Sequence, residues 1–188
     1  VPELGLAYGN WLAGVQSVGF AWKGQIKNGS GGINIRYVGM DDIELRSNKP
    51  SSEPLAYYAA YGSSIGGMYS WQKSAFRMGV GVKRVDFQIY QKKSSGTAID
   101  LGLEWDTAEN IRIRFSALNL GKMGKLVSES PQLPQRIIGS LAYERNQYAV
   151  FAALESNSIV KDPILYGGCN SRYKNLIYGF TAMTSKGV

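Results

Sequence analysis

The sequence contains no histidine and a single cysteine, Cys169, among its 188 residues. The lack of histidine removes the commonest general base and the commonest transition-metal ligand, and it excludes Ser-His-Asp and Cys-His catalytic arrangements. A lone cysteine can form neither an internal disulfide nor a CxxC zinc or redox site. We therefore predict a protein that is not an enzyme and that carries no catalytic residues, no metal and no cofactor.

Long apolar runs are also absent, and the run from Leu55 to Tyr61 is as long as any in the chain. A transmembrane helix needs about 20 predominantly apolar residues, whereas a membrane-spanning β-strand needs only about 9–11 residues with every second one apolar. The sequence opens with neither a methionine nor a signal peptide, so we expect a processed form or a fragment. With 44% hydrophobic and 19% charged residues, the composition excludes a disordered chain.

Hydrophobicity alternates with a period of two along much of the chain, which is the pattern of β-strands. In residues 97–105, for example, Leu101 and Leu103 point one way while Asp100 and Glu104 point the other. We predict a single all-β domain over residues 1–188, with an antiparallel up-and-down order of about eleven strands. The predicted strands are 4–11, 14–23, 30–39, 55–71, 75–90, 97–105, 111–119, 136–144, 147–155, 164–171 and 176–184.

The predicted connections alternate in length from the second strand onward. The short ones are residues 24–29, 72–74, 106–110, 145–146 and 172–175, and the mostly longer ones are 40–54, 91–96, 120–135 and 156–163. Alternate connections of an up-and-down barrel emerge at the same end, and short turns at one end with longer loops at the other are typical of outer-membrane barrels. The pattern therefore favours a transmembrane β-barrel.

The strand predicted at 75–90 changes phase. Apolar residues occupy even positions from Phe76 to Val82 and odd positions from Val85 to Ile89. If apolar side chains all keep to one face, one extra residue must be inserted between these stretches. We therefore predict a β-bulge near Lys83 and Arg84.

Alternation alone does not decide between a soluble and a membrane barrel, because the apolar face lies inside the first and faces lipid in the second. The length of the strands at 55–71 and 75–90, the aromatic residues near several strand ends and the presence of both charge signs on the polar face favour the membrane. A soluble β-barrel binding module stays open as the alternative.

Charged residues supply the candidate site. Asp100, Glu104, Arg112 and Arg114 fall on one face and are predicted to form lumen-facing charged pairs, or else ordinary pairs on a water-exposed face. A second group lies in predicted loops and could meet a partner: Asp41, Asp42, Glu44, Lys92, Lys93, Lys122 and Lys125. Its lysines could attract lipopolysaccharide phosphates or an acidic partner, although ordinary solvation explains them too. The net charge of +7 does not indicate nucleic-acid binding, because the basic residues are scattered rather than gathered into one stripe.

Several short segments recur in an order known from one family. They are Asn10–Val15, Tyr37–Asp42, Ala98–Leu103 with an Asp-Leu-Gly, Leu118–Gly121 with an Asn-Leu-Gly, Leu133-Pro134, and Arg136–Tyr143 with a Gly-x-x-Tyr. In this order they resemble the PorV/PorQ family of outer-membrane β-barrels, which are relatives of the FadL fatty-acid channel. The family's Asn-Pro-Ala-Gly opening is not seen, and only Pro2 and Gly5–Ala7 are similar to it. The chain is short for this family, so the resemblance implies that it is part of a larger barrel.

The resemblance implies two functions, both in the bacterial outer membrane and in contact with its lipid. As a PorV/PorQ relative, the protein would be a non-enzymatic accessory of type IX secretion that binds a translocon or a secreted cargo through its long loops. As a FadL relative, it would be a channel that carries a hydrophobic small molecule in its lumen.

Overall fold

The computed structural model describes residues 2–48, 50, 52–107, 110–173 and 176–185. They form eleven antiparallel strands in one sheet, whose spatial order follows the chain from β1 to β11. The strands are β1 (Glu3–Asn10), β2 (Gln16–Ile26), β3 (Gly29–Leu45), β4 (Ala56–Lys73), β5 (Phe76–Ile89), β6 (Lys92–Asp106), β7 (Ile111–Met123), β8 (Arg136–Arg145), β9 (Tyr148–Asn157), β10 (Ile164–Tyr173) and β11 (Leu176–Ser185). A short 3-10 helix, Leu12–Gly14, connects β1 to β2. The predicted all-β, up-and-down order of about eleven strands is confirmed, with β1 and β11 at the two ends of the order.

Two compact units share these strands. Unit 1 contains Val1–Tyr69, Gly81–Ala98 and Gly121–Leu133, and unit 2 contains Ser70–Val80, Ile99–Leu120 and Pro134–Val188. Strands β1 to β3 belong to unit 1 and β8 to β11 to unit 2, whereas β4 to β7 contribute residues to both.

Cross-strand rows explain why the alternating sequence forms these strands. In unit 1, Leu6 of β1 pairs with Phe20 of β2, which pairs with Ile35 of β3. In unit 2, Ile113 of β7 pairs with Leu141 of β8. Apolar side chains thus stand beside apolar side chains along one face, which is the arrangement that stabilises neighbouring strands.

The connections differ from prediction at one place in particular. Residues 91–96 are not a loop, because β5 and β6 are joined by the two-residue turn Tyr90-Gln91, with Tyr90 at a φ of 52°. Ser94-Ser95-Gly96 looks like a polar loop in the sequence, but Ser94 is a buried residue of β6. The longer connections are therefore residues 46–55, 124–135 and 158–163.

The predicted bulge near Lys83 and Arg84 is wrong. The backbone N–H of Tyr90 donates to the carbonyl of Ala59, at 3.1 Å, and a Cβ built on Gly66 would lie 2.9 Å from the Cβ of Lys83. Between these two contacts β4 and β5 advance by the same number of residues, so no extra residue is inserted. Because β5 is regular, its apolar residues change face instead.

Candidate functional site

The sheet has two chemically different faces, and β6 shows both. Leu101 and Leu103 are 45% and 42% exposed on one face, whereas Asp100 and Glu104 lie on the other. We call the face that carries Leu101 and Leu103 the apolar face, and the opposite one the polar face. Neighbouring strands continue the apolar face, with Phe115 of β7 50% exposed. The large apolar side chains of this face are therefore exposed rather than buried in a core between layers.

Glu104 is the centre of an ion-pair network on the polar face. Its carboxylate accepts a hydrogen bond from Arg77 of β5, lies 2.5 Å from Nε of Arg114 and 3.5 Å from Nε of Arg112. The Glu104 side chain is 14% exposed. Arg112 also donates to Asp106 through Nε at 2.6 Å and to Glu144 through Nη1 at 3.0 Å. The network thus links four neighbouring strands, β5 to β8.

The predicted set is brought together only in part. Glu104, Arg112 and Arg114 meet in this network, whereas an Asp100 carboxylate oxygen accepts the backbone N–H of Asn119 at 2.7 Å. Asn119 has a positive φ of 60° within β7, and its side-chain amide donates to the carbonyl of Pro134. Asp100 therefore holds a local irregularity of β7 in place.

Sequence reasoning missed Arg77, Asp106 and Glu144. Arg77 lies on the polar face of β5, and its partner on β6 follows from strand pairing. Asp106 ends β6 beside the connection to β7. The signal for all three residues was opposite charge on neighbouring strands at matching positions.

Sequence reasoning also missed a second carboxylate centre, Glu155 of β9. Its side chain is 2% exposed. Arg136 of β8 holds both of its oxygens, through Nε and Nη2, each at 2.6 Å. The hydroxyl of Tyr166 in β10 donates to it at 2.8 Å and the side-chain amide of Asn157 at 3.3 Å. Four donors thus satisfy one buried carboxylate across three strands.

The acidic partner-loop candidates are in a strand. Asp41, Asp42 and Glu44 belong to β3 and not to a loop at 40–54, because β3 runs on to Leu45, whose carbonyl accepts the backbone N–H of Leu55 at 2.8 Å. Glu44 accepts a hydrogen bond of 2.6 Å from Nε of Arg46, just beyond the strand. This hydrogen bond raises the pKa of the Arg46 guanidinium.

The basic partner-loop candidates are similarly displaced. Lys92 and Lys93 begin β6 and Lys122 lies in β7, while Lys125 lies in the connection 124–135. Because the two-residue turn ends directly before Lys92, Lys92 and Lys93 are strand residues and not loop residues. The two segments lie side by side, since the N–H of Gly124 donates to the carbonyl of Ser95 at 2.8 Å.

Unit 1 places an apolar cluster on the polar face of β5 and β6. Ala98, Met123 and Leu133 are buried, and Val85 and Phe87 pack against them. The chain after β7 is fixed there by the Ser94 hydroxyl, which donates to the carbonyl of Gly124 at 2.6 Å. We refer to these five side chains as the apolar cluster.

Two other features are absent from the part of the chain that the structure describes. Among residues 2–185 with the gaps given above, no three His, Cys, Asp or Glu side chains are placed to hold a metal ion. No helix in the same residues is long and apolar enough to cross a membrane.

Comparison with known proteins found no matching family model, no matching curated protein and no matching solved structure.

Proposed function

We propose that this chain is a bacterial outer-membrane β-barrel, or part of one, in which the apolar face meets lipid and the polar face lines the lumen. The observation that carries the proposal is the apolar face itself, on which Leu101 and Phe115 are about half exposed while the charges of the same strands pair on the opposite face. Soluble monomers rarely expose contiguous apolar patches of more than a few hundred Å². Lipid contact on one face and a polar lumen on the other are the rule for membrane barrels.

The apolar face continues without a break in register across β8 to β11. Tyr143 pairs with Val150, Val150 with Cys169, and Cys169 with Phe180. A depression of about 440 Å³ lies on this face between Tyr148, Val150, Cys169, Tyr178 and Phe180. The surface of this depression is mostly apolar and aromatic, which supports lipid as the surrounding medium.

Membrane partitioning tests the proposal. The full chain, folded into detergent micelles and then into lipid vesicles, is expected to remain with the vesicles after carbonate extraction and to migrate faster on unheated than on heated gels. A protein that is monomeric without detergent and whose mobility does not change with heating would instead be a soluble β-barrel binding module, and the proposal would be wrong.

We further propose the role of a non-enzymatic accessory of type IX secretion, which binds a translocon or a secreted cargo through its long connections. The support is the resemblance to the PorV/PorQ family, together with the two longer connections, residues 46–55 and 124–135, which offer a partner its contacts. Replacing residues 47–53 by a Gly/Ser linker is expected to abolish binding of a cargo signal domain in pull-down, while Arg114→Gln on the polar face leaves it intact. Equal binding by both variants would contradict this role.

A FadL-like channel is the second candidate, favoured by the apolar cluster, since Met123 and Leu133 place apolar side chains on the otherwise polar face. This function predicts that a fatty acid co-purifies with the protein and is detected by mass spectrometry after extraction. Leu133→Ala is expected to lower its amount, whereas Leu103→Ala on the apolar face is the matched control. Loss of the fatty acid in neither variant, or its absence from the unchanged protein, would reject the channel.

A further inference from the structure

The two faces exchange their polarity within β5. From Phe76 to Val82 the apolar residues lie on the apolar face, where Val82 is 56% exposed. The next residues of that same face are Arg84, Asp86 and Gln88, because β5 alternates without a bulge. The Arg84 side chain is 63% exposed and donates to Asp86 at 3.1 Å.

On β6 the apolar face also becomes polar, at the same distance from the turn as on β5. Its apolar face carries Ile99, Leu101 and Leu103, and then Thr97, Ser95 and Lys93 towards the turn. The two-residue turn Tyr90-Gln91 sets Gln88 opposite Lys93 and Asp86 opposite Ser95. We call these six residues the polar margin: Arg84, Asp86, Gln88, Lys93, Ser95 and Thr97.

The polar face changes as well, from charged to apolar side chains. At the level of the polar margin, Val85 and Phe87 of β5 and Ala98 of β6 belong to the apolar cluster, which Met123 and Leu133 complete. This end of the hairpin is therefore apolar on the face that elsewhere carries charges, and charged on the face that elsewhere is apolar. Such an arrangement is that of a sheet in water, whose core is covered by its own chain.

The neighbouring strand places a tyrosine beside the polar margin. Tyr61 of β4 donates its hydroxyl to Oε1 of Gln88 at 2.6 Å, and its ring stacks on Tyr37 at a centroid distance of 5.7 Å.

We propose that the edge of the lipid contact crosses the hairpin between Val82 and Arg84 on β5 and between Ile99 and Thr97 on β6. The polar margin then lies among headgroups and in water, and the apolar cluster is the core of an end that projects beyond the bilayer. The inference rests on the proposed membrane function. The boundary sets Arg84 and Thr97 at the headgroups and Asp86 and Ser95 beyond them. The apolar stretch Ile99–Trp105 measures ~20 Å along the strand at ~3.3 Å a residue, which a tilt of ~40° reduces to ~15 Å of height. Because this is less than the ~25 Å apolar band of membrane barrels, the bilayer is thinned beside this hairpin.

Depth-dependent quenching tests this boundary. Cys169, the only cysteine, is first replaced by serine. Single cysteines are then introduced as Leu103→Cys, Val82→Cys, Asp86→Cys and Ser95→Cys, labelled with an environment-sensitive fluorophore and reconstituted into phosphatidylcholine vesicles with or without acyl-chain bromine. Bromolipid is expected to quench the labels at 103 and 82 at least threefold more than those at 86 and 95, and aqueous iodide is expected to show the reverse order.

Two controls make every outcome decisive. Val85→Cys lies between Arg84 and Asp86 but on the other face, and its label is expected to be protected from bromolipid. Each variant is accepted only if it keeps heat-modifiable mobility, and Gln88→Cys with Lys93→Cys replaces the 86 and 95 pair if that pair fails to fold. Strong bromolipid quenching at 86 and 95 would overturn the boundary and leave the membrane function standing. No quenching at 103 and 82 would overturn the membrane function itself.

Discussion

Glu104 and Glu155 are two carboxylates on the polar face of unit 2, and arginine side chains contact both. They differ in the number of their arginine partners and in their exposure to water. Glu104 is shared by Arg77, Arg112 and Arg114, whose side chains are themselves 27% to 46% exposed. Glu155 has one arginine, Arg136, in a two-point contact. Glu104 is partly open to water, whereas Glu155 is almost completely enclosed.

The difference decides what the loss of each carboxylate costs. A shared, partly hydrated network can rearrange, because Arg112 keeps Asp106 and Glu144 when Glu104 is gone. A buried pair has no alternative partners of this kind. Removing one of its two members leaves an uncompensated charge in a place that water reaches poorly. We therefore expect Glu155 to matter more than Glu104, although Glu104 contacts more arginines.

The largest effect is expected for Glu155→Gln. The change keeps the shape of the side chain but leaves Arg136 without its anion, and breaking a buried pair in this way costs about 3–5 kcal/mol. We expect a loss of about 3 kcal/mol in the free energy of unfolding, measured by urea titration in lipid vesicles with tryptophan fluorescence. Glu129→Gln is the matched control, because Glu129 is exposed in the connection 124–135, and it is expected to change the free energy by less than about 0.5 kcal/mol. A loss of the same small size for Glu155→Gln would mean that water reaches this site freely.

Glu104→Gln is expected to have the second-largest effect. Three partly exposed pairs are weakened at once, each worth about 0.2–1 kcal/mol, so we expect a loss of about 2 kcal/mol. The same urea titration measures it. If the loss exceeded that of Glu155→Gln, the sharing of partners would count for more than enclosure, and the comparison would be reversed.

The sequence reveals the Glu104 network better than the Glu155 centre for a geometric reason. Glu104, Arg112 and Arg114 lie on two strands joined by a short connection, so alternation alone puts them on one face. Arg136 and Glu155 are a diagonal pair, because the register sets Arg136 opposite Asn157 and Ile138 opposite Glu155. A diagonal contact depends on how far two long side chains reach and on the exact register of the two strands. The sequence specifies neither, because it does not fix the turn that joins these strands.

The strands follow from alternation, and the errors follow from one assumption about it. All eleven predicted strands exist, because period-two patterns extend over enough residues to outweigh local ambiguity. The bulge near Lys83 was predicted on the assumption that apolar residues keep to one face throughout β5. A strand that passes between two environments does not obey that assumption, and the loop wrongly predicted at 91–96 belongs to the same end of the hairpin.

Tyr166→Phe sharpens the comparison by removing one neutral donor from the enclosed carboxylate. The two-point contact of Arg136 with Glu155 remains, so we expect a loss of about 1 kcal/mol, the net value of one hydrogen bond. Tyr148→Phe, on the exposed apolar face, controls for the loss of a hydroxyl and is expected to be nearly neutral in the same titration. Equal losses in the two variants would show that the Tyr166 hydroxyl is not held by Glu155.

The smallest effect is expected for Arg114→Gln, and its dependence on salt separates the two centres. Arg114 is 46% exposed and contacts Glu104 at 2.5 Å, and Glu104 keeps its other two arginines, so we expect a loss of about 0.5 kcal/mol at low salt. At about 1 M salt the screening length falls to about 3 Å, which should remove most of this loss because water surrounds the pair. The loss for Glu155→Gln should persist in the same salt, since an enclosed pair is screened much less. A salt-insensitive loss for Arg114→Gln would place the Glu104 network in an environment as closed as that of Glu155, and the contrast between the two carboxylates would then lie in the number of partners alone.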